Sequence, residues 1–91
     1  MTNEWNETEW RMHVGLPLAY TVVGFLRTNY GPEQDAEFRA ATTEQLEEVV
    51  NRHMPIMRMT TDERRVLLEE VRVLLDPGPW AASRPVTAPP A

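Results

Sequence analysis

A stripe of leucine and valine with a helical period constrains the fold of this chain more than any other feature. Between Thr61 and Leu75 the apolar residues recur every three or four positions, which is the spacing of one face of an α-helix. They are Leu67, Leu68, Val71, Leu74 and Leu75. Thr60 and Glu63 have the spacing of a capping box, and the sequence DPGP at 76–79 stops the pattern. We therefore predict an amphipathic helix over 61–75 that packs on a core.

Residues 17–30 carry two conflicting patterns. Their β-branched and aromatic residues favour a strand, whereas their apolar positions recur with a helical period. Pro17 suits the first turn of a helix, and Gly31 suits its end. We predict a mostly buried helix and keep a strand as the alternative. One remaining side carries a narrow stripe of small residues, Thr21, Gly24 and Thr28.

The segment from Pro32 to Met54 allows two interpretations. It can form one long helix as far as His53, with apolar residues on one side and glutamates on the other. Alternatively, a helix begins at Thr42, which has the capping-box spacing with Gln45. We favour the long helix slightly. Both interpretations end the helix before Pro55, because the residue before proline avoids the α-helical region.

The two ends of the chain differ from the middle. Residues 1–15 are polar, and Asn6 with Glu9 has the spacing of a helix start, so we expect a short helix or a loose arm that Gly15 and Pro17 interrupt. Residues 77–91 are rich in proline and alanine and predict an extended tail. The expected fold is all-α: a small three-helix bundle over 16–76 with an N-terminal arm and an extended Pro/Ala-rich C-terminal tail.

Composition excludes several classes of partner. The 91 residues provide one domain, and a net charge of −5 disfavours nucleic acid, whose binders usually carry a basic stripe. The longest apolar run, residues 16–26, is too short for a bilayer, and the acidic start lacks the basic region of a signal peptide. We expect a cytoplasmic protein, or one within a viral particle, that contacts neither nucleic acid nor membrane.

Residues that could perform catalysis are scarce. Cysteine and lysine are absent, and Ser83, the one serine, lies in the tail. Glu9 and His13 have the spacing of two metal ligands on a helix, but a structural zinc site usually needs four ligands. We therefore expect no enzyme, no cofactor, no metal site and no small-molecule substrate.

Six residues are candidates for binding a protein partner. Val66 and Val73 lie seven apart, roughly opposite the leucine stripe, so either a partner covers them or they are isolated surface valines. Met57 stands in a methionine-rich connector that could bind a partner or fold over the end of the bundle. Tryptophan is enriched in interface hot spots, but the rings of Trp5, Trp10 and Trp80 could also fold back onto the bundle.

All nine basic residues are arginine. Codon usage in a GC-rich genome is the simpler explanation. The alternative is selection for guanidinium groups, whose planar fork suits interfaces better than an ammonium.

We expect a non-catalytic protein–protein interaction module, a small accessory or structural subunit of a larger bacterial or viral assembly, that binds a protein partner or itself. The alternative is a small transcriptional regulator that binds DNA or polymerase, since residues 43–75 have the outline of a helix-turn-helix. Their six-residue connector is longer than the tight turn of that motif, and glutamates interrupt the arginines of the last helix.

Overall fold

The computed structural model describes residues 4–76. A helical stretch begins with α1 (Glu7–Trp10), continues through a π-helical segment (Arg11–Gly15), and runs on into α2 (Leu16–Tyr30). A 3-10 turn (Pro32–Gln34) leads into α3 (Asp35–Ala40), followed by α4 (Thr43–His53), a second 3-10 turn (Ile56–Arg58) and α5 (Thr61–Leu75). Residues 4–76 contain no strand, so the all-α prediction is confirmed and residues 17–30 are helical. The predicted tail lies outside the described residues.

The core lies between α2, α4 and α5 and is closed by the second 3-10 turn. Its buried side chains are Ala19, Val22, Val23, Leu26, Leu46, Val50, Ile56, Leu67, Leu68, Val71 and Leu75. The predicted face of α5 is confirmed, with Leu74 packed against the core at its edge. At roughly 1.5–3 kcal/mol for each large aliphatic side chain, this burial is the main force that holds the bundle together.

Side-chain caps set where the helices begin. Thr60 Oγ1 accepts the backbone N–H of Glu63 at 3.1 Å, while Glu63 Oε1 accepts the N–H of Thr60 at 2.9 Å. Thr42 and Gln45 form the same reciprocal pair. Ala41 is extended, with φ −65° and ψ 152°, so α3 and α4 are separate helices and the long-helix prediction for residues 32–53 is wrong. The cap at Thr42 supplies backbone partners that favour a new helix start there.

The expected break at Gly15 and Pro17 is also wrong. Gly15 keeps helical angles, φ −60° and ψ −51°, and the backbone continues from α1 to α2. In a regular α-helix the residue at position 17 would donate its N–H to the carbonyl of His13, which proline cannot do. The N–H of Leu16 instead bonds to the carbonyl of Arg11, five residues back. This wider turn relieves the crowding by the proline ring upstream, so the helix continues.

Two arginines connect the C-terminal ends of α3 and α5. Arg72 donates to the carbonyl of Arg39 at 2.6 Å, and Arg39 donates to the carbonyl of Leu75 at 2.8 Å. Carbonyls in the last turn of a helix have no partner within the helix. Each guanidinium therefore caps the end of the other helix.

Candidate interaction surface

The N-terminal helical stretch covers one side of α5. The Trp10 ring is 3% exposed and lies over Gly15, and Val66 of α5 is fully buried beside them. The prediction that Val66 lies on an exposed face is therefore wrong. α5 is apolar on two sides because two parts of the chain pack against it. The core lies on one side, and the segment around Trp10 lies on the other. Neither Val66 nor Trp10 offers its side chain to a partner in this fold.

Ion pairs join the same two elements. Arg11 donates to Glu69 at 2.8 Å and to Glu70 at 2.7 Å, while Arg65 donates to Glu7 at 2.6 Å. Arg65 and then Arg11 hold the pKa of Glu7 below its ordinary value, and Arg11 does the same for Glu69, with a smaller contribution from Arg65. Because exposed ion pairs contribute little to stability one by one, Trp10 is the principal anchor and the ion pairs orient the segment.

The remaining predicted residues do not form one surface. Met57 is 52% exposed in the turn before α5, whereas Val73 is 63% exposed near the other end of α5. Thr61, at the start of α5, and Val73 are 12 positions apart, or about 18 Å along the helix, so the side chains of Met57 and Val73 lie far apart. The half-buried Trp5 stacks on His13, with ring centroids 5.0 Å apart. Trp80 lies outside the described residues.

A different surface stands out on α2. We call it the uncharged face: Pro17, Tyr20, Thr21, Gly24, Phe25 and Thr28, each of which is exposed. The opposite side of α2 is buried in the core through Ala19, Val22, Val23 and Leu26. The expectation of a mostly buried helix was therefore half right, because within residues 4–76 the other elements cover α2 on one side only.

The uncharged face combines large and small side chains. Tyr20 is 61% exposed and Phe25 is 40% exposed. Between them Gly24 is open: among the described residues, nothing outside its own helix lies within 4 Å of where a Cβ would stand. The small residues recur at positions 17, 21, 24 and 28, a spacing that keeps them on one side of a helix. His13, four residues before Pro17 and exposed, extends this line toward Trp5.

Charge is distributed very unevenly over the helices. Arg27 is the one charged residue in the sequence of α2, and it turns aside to Asp35, with 2.8 Å between Nη2 and Oδ2. In contrast, α5, which is equally long, carries charged residues in each of its first three turns. The sequence already contained this signal in the single charge of α2 and in its stripe of small residues. Periodicity alone does not show that this stripe faces solvent.

Residues that could perform chemistry do not converge. The hydroxyl of Tyr30 and Nε2 of His53 lie 3.0 Å apart in a hydrogen bond at the edge of the core, where Phe25 stacks on the His53 ring. Within residues 4–76, no group of three or more histidines or carboxylates is placed to hold a metal ion. None of the described helices is long and apolar enough to cross a bilayer.

Comparison with known proteins identifies no relative of this chain. No protein-family model matches the chain, and neither a curated protein nor a solved structure matches it significantly.

Proposed function

We propose that this protein is a non-catalytic protein–protein interaction module, a small accessory or structural subunit of a larger assembly. The single observation that carries the proposal is the uncharged face of α2, which stays exposed along the length of the helix. A bacterial or viral assembly, in the cytoplasm or within a viral particle, remains the setting we propose from the sequence.

The physical argument concerns the cost of leaving such a face in water. A helix without charges on its outer side is typical of a helix covered on both sides. Exposed tyrosine and phenylalanine side chains provide a large apolar area, and tyrosine is enriched in binding hot spots. Small residues between them let another backbone approach closely. These properties support a protein partner rather than a small molecule.

The arrangement of the arginines favours this function over a nucleic-acid-binding regulator. Arg11 and Arg65 are paired with glutamates, and Arg64 bonds to Glu47 and to the carbonyl of Met59. Arginines that bind phosphate must be free to replace the counterions of DNA. The guanidinium groups of Arg11, Arg64 and Arg65 instead hold the chain's own carboxylates.

Affinity capture from the source cells tests the proposal. The wild-type chain and the Tyr20→Ala and Thr21→Arg variants would be compared with Val73→Ala, which removes an equally exposed apolar side chain from another helix. We expect the α2 variants to lose a partner that the Val73 variant retains. Circular dichroism confirms that every variant is folded. Equal capture by all four proteins would contradict a role for the uncharged face.

A further inference from the structure

We propose that the uncharged face of α2 binds a second copy of this chain, α2 against α2 across a two-fold axis. The inference rests on the proposed function and specifies the partner. A two-fold contact presents the same patch from both chains, so the patch must complement itself. Three properties of the uncharged face meet that condition.

The first property is charge. Each copy carries a net charge of −5, so two copies repel each other at long range. The exposed sides of α4 and α5 carry both carboxylates and arginines, so a contact through those helices would have to remove charged groups from water. The uncharged face lets two copies meet without placing carboxylates opposite each other. Arg27, at its edge, is already neutralised by Asp35.

The second property is shape. Gly24 and its small neighbours form a shallow seam, and Tyr20 and Phe25 project on its two sides. The same face therefore provides both projections and the space to receive them. The spacing 17, 21, 24, 28 averages about 3.7 residues, close to the 3.6 residues of one helical turn, so the seam runs nearly straight along α2. A seam of small residues also allows close contact between the two backbones.

The third property is size. From Pro17 to Thr28 the uncharged face is about 17 Å long, and two such faces together bury at most on the order of 1,000 Å². Specific interfaces of that size lie at the small end of the range and belong to weak complexes. The expected product is a reversible dimer, which a larger assembly can stabilise through additional contacts.

Analytical ultracentrifugation of the full chain tests the proposal between about 10 µM and about 1 mM, the range in which a weak interface dissociates. We expect the wild-type chain to shift from monomer to dimer as its concentration rises. Gly24→Glu and Thr21→Glu should stay monomeric, because each buries a charge against its own copy. The matched control, Val73→Glu, adds the same charge at an exposed apolar site on α5 and should dimerise like the wild type.

Because the chain lacks cysteine, single cysteines can report on the seam. A disulfide requires Cα atoms about 4.4–6.8 Å apart, which only a close contact provides. Under mild oxidation, at least one of Thr21→Cys, Gly24→Cys and Thr28→Cys should form a covalent dimer at least ten times faster than Val73→Cys. Equal rates at all four positions would indicate random collision and overturn the proposal.

The outcomes separate this inference from the proposed function. A wild-type chain that stays monomeric across the whole range overturns the second-copy inference. If that monomer still captures another protein through Tyr20 and Thr21, the proposed function stands. A dimer that persists in Gly24→Glu and Thr21→Glu places the contact elsewhere and also overturns the inference.

Discussion

The indole ring of Trp10 lies directly across Gly15. A Cβ at position 15 would stand 3.1 Å from Cζ3 of the ring, closer than side chains normally approach. A larger residue at position 15 would require the buried ring to shift by a few tenths of an ångström. Val66 of α5 lies beside Gly15 as well, so this is where the N-terminal helical stretch meets α5.

Trp10 and Trp5 should differ sharply when replaced. Trp10→Ala removes a fully packed ring and should lower the free energy of unfolding by about 3–5 kcal/mol, a large part of the stability of so small a domain. Trp5→Ala affects a half-buried ring stacked on His13 and should have a much smaller effect. Urea unfolding followed by circular dichroism measures both. Similar losses for the two variants would argue against Trp10 as the principal anchor.

The two helical glycines form a matched pair for an alanine substitution. Gly24→Ala gains helix propensity without meeting any described side chain and should stabilise the monomer by about 0.5–1 kcal/mol. Gly15→Ala makes the same gain but presses on the buried Trp10 ring, and overpacking costs about 1–3 kcal/mol. We therefore expect Gly15→Ala to be destabilising. Thermal melts at low protein concentration compare them, and a higher Tm for both variants would contradict this.

Val66 and Val73 should respond oppositely to glutamate. Val66→Glu places a carboxylate without a cationic partner in the interior beside Trp10 and should unfold the protein at neutral pH. Val73→Glu places the same group in solvent and should leave the Tm nearly unchanged. Circular dichroism melts distinguish the two results. A folded Val66→Glu variant with the wild-type Tm would show that the segment around Trp10 does not cover α5.

Acid should weaken the attachment of the N-terminal stretch. Arginines lower the pKa of Glu7 and Glu69 in the folded protein below the ordinary value of 4.5. A carboxyl whose folded pKa is lowered adds stability above its unfolded pKa, and that stability is lost as the pH falls through the folded pKa. Stability should therefore fall from about pH 5 downward. In Arg11→Leu the fall between pH 5 and pH 3 should be shallower, as measured by urea unfolding across that range; an unchanged slope would exclude Arg11 as the cause.

The helical conformation of α5 and the residue at which it begins could be predicted, because the residues that determine both lie close together in the sequence. The capping box at Thr60 and the leucine stripe lie within one short segment, so the sequence alone identified α5 and its core face. The capping box at Thr42 was equally visible, but the periodicity of residues 32–53 continued across it and favoured one long helix. Ala41, the extended residue between α3 and α4, carries no signal of its own.

Which faces of each helix pack against other elements could not be predicted, because that packing depends on contacts between residues far apart in the sequence. Arg11 and Glu70 are 59 positions apart, and their ion pair brings the N-terminal stretch to α5. The sequence does not show this contact, so on sequence alone the second apolar side of α5 was interpreted as a surface for a partner. The outer side of α2 could not be recognised for the same reason, since periodicity does not show which side of an apolar helix is covered and which side the other elements of residues 4–76 leave exposed.

The π-helical turn at Arg11–Gly15 makes the length of this segment as important as its composition. Deleting one residue there would remove the extra residue of the wider turn and rotate Glu7 and Trp10 by about 100° around the helix axis. Trp10 would then leave Gly15, and Glu7 would turn away from Arg65. Related sequences that preserve this architecture should therefore keep the number of residues between Trp10 and Pro17 constant, even where residues other than Arg11 and Gly15 vary. An inserted or deleted residue at this point would mark a chain whose N-terminus packs elsewhere.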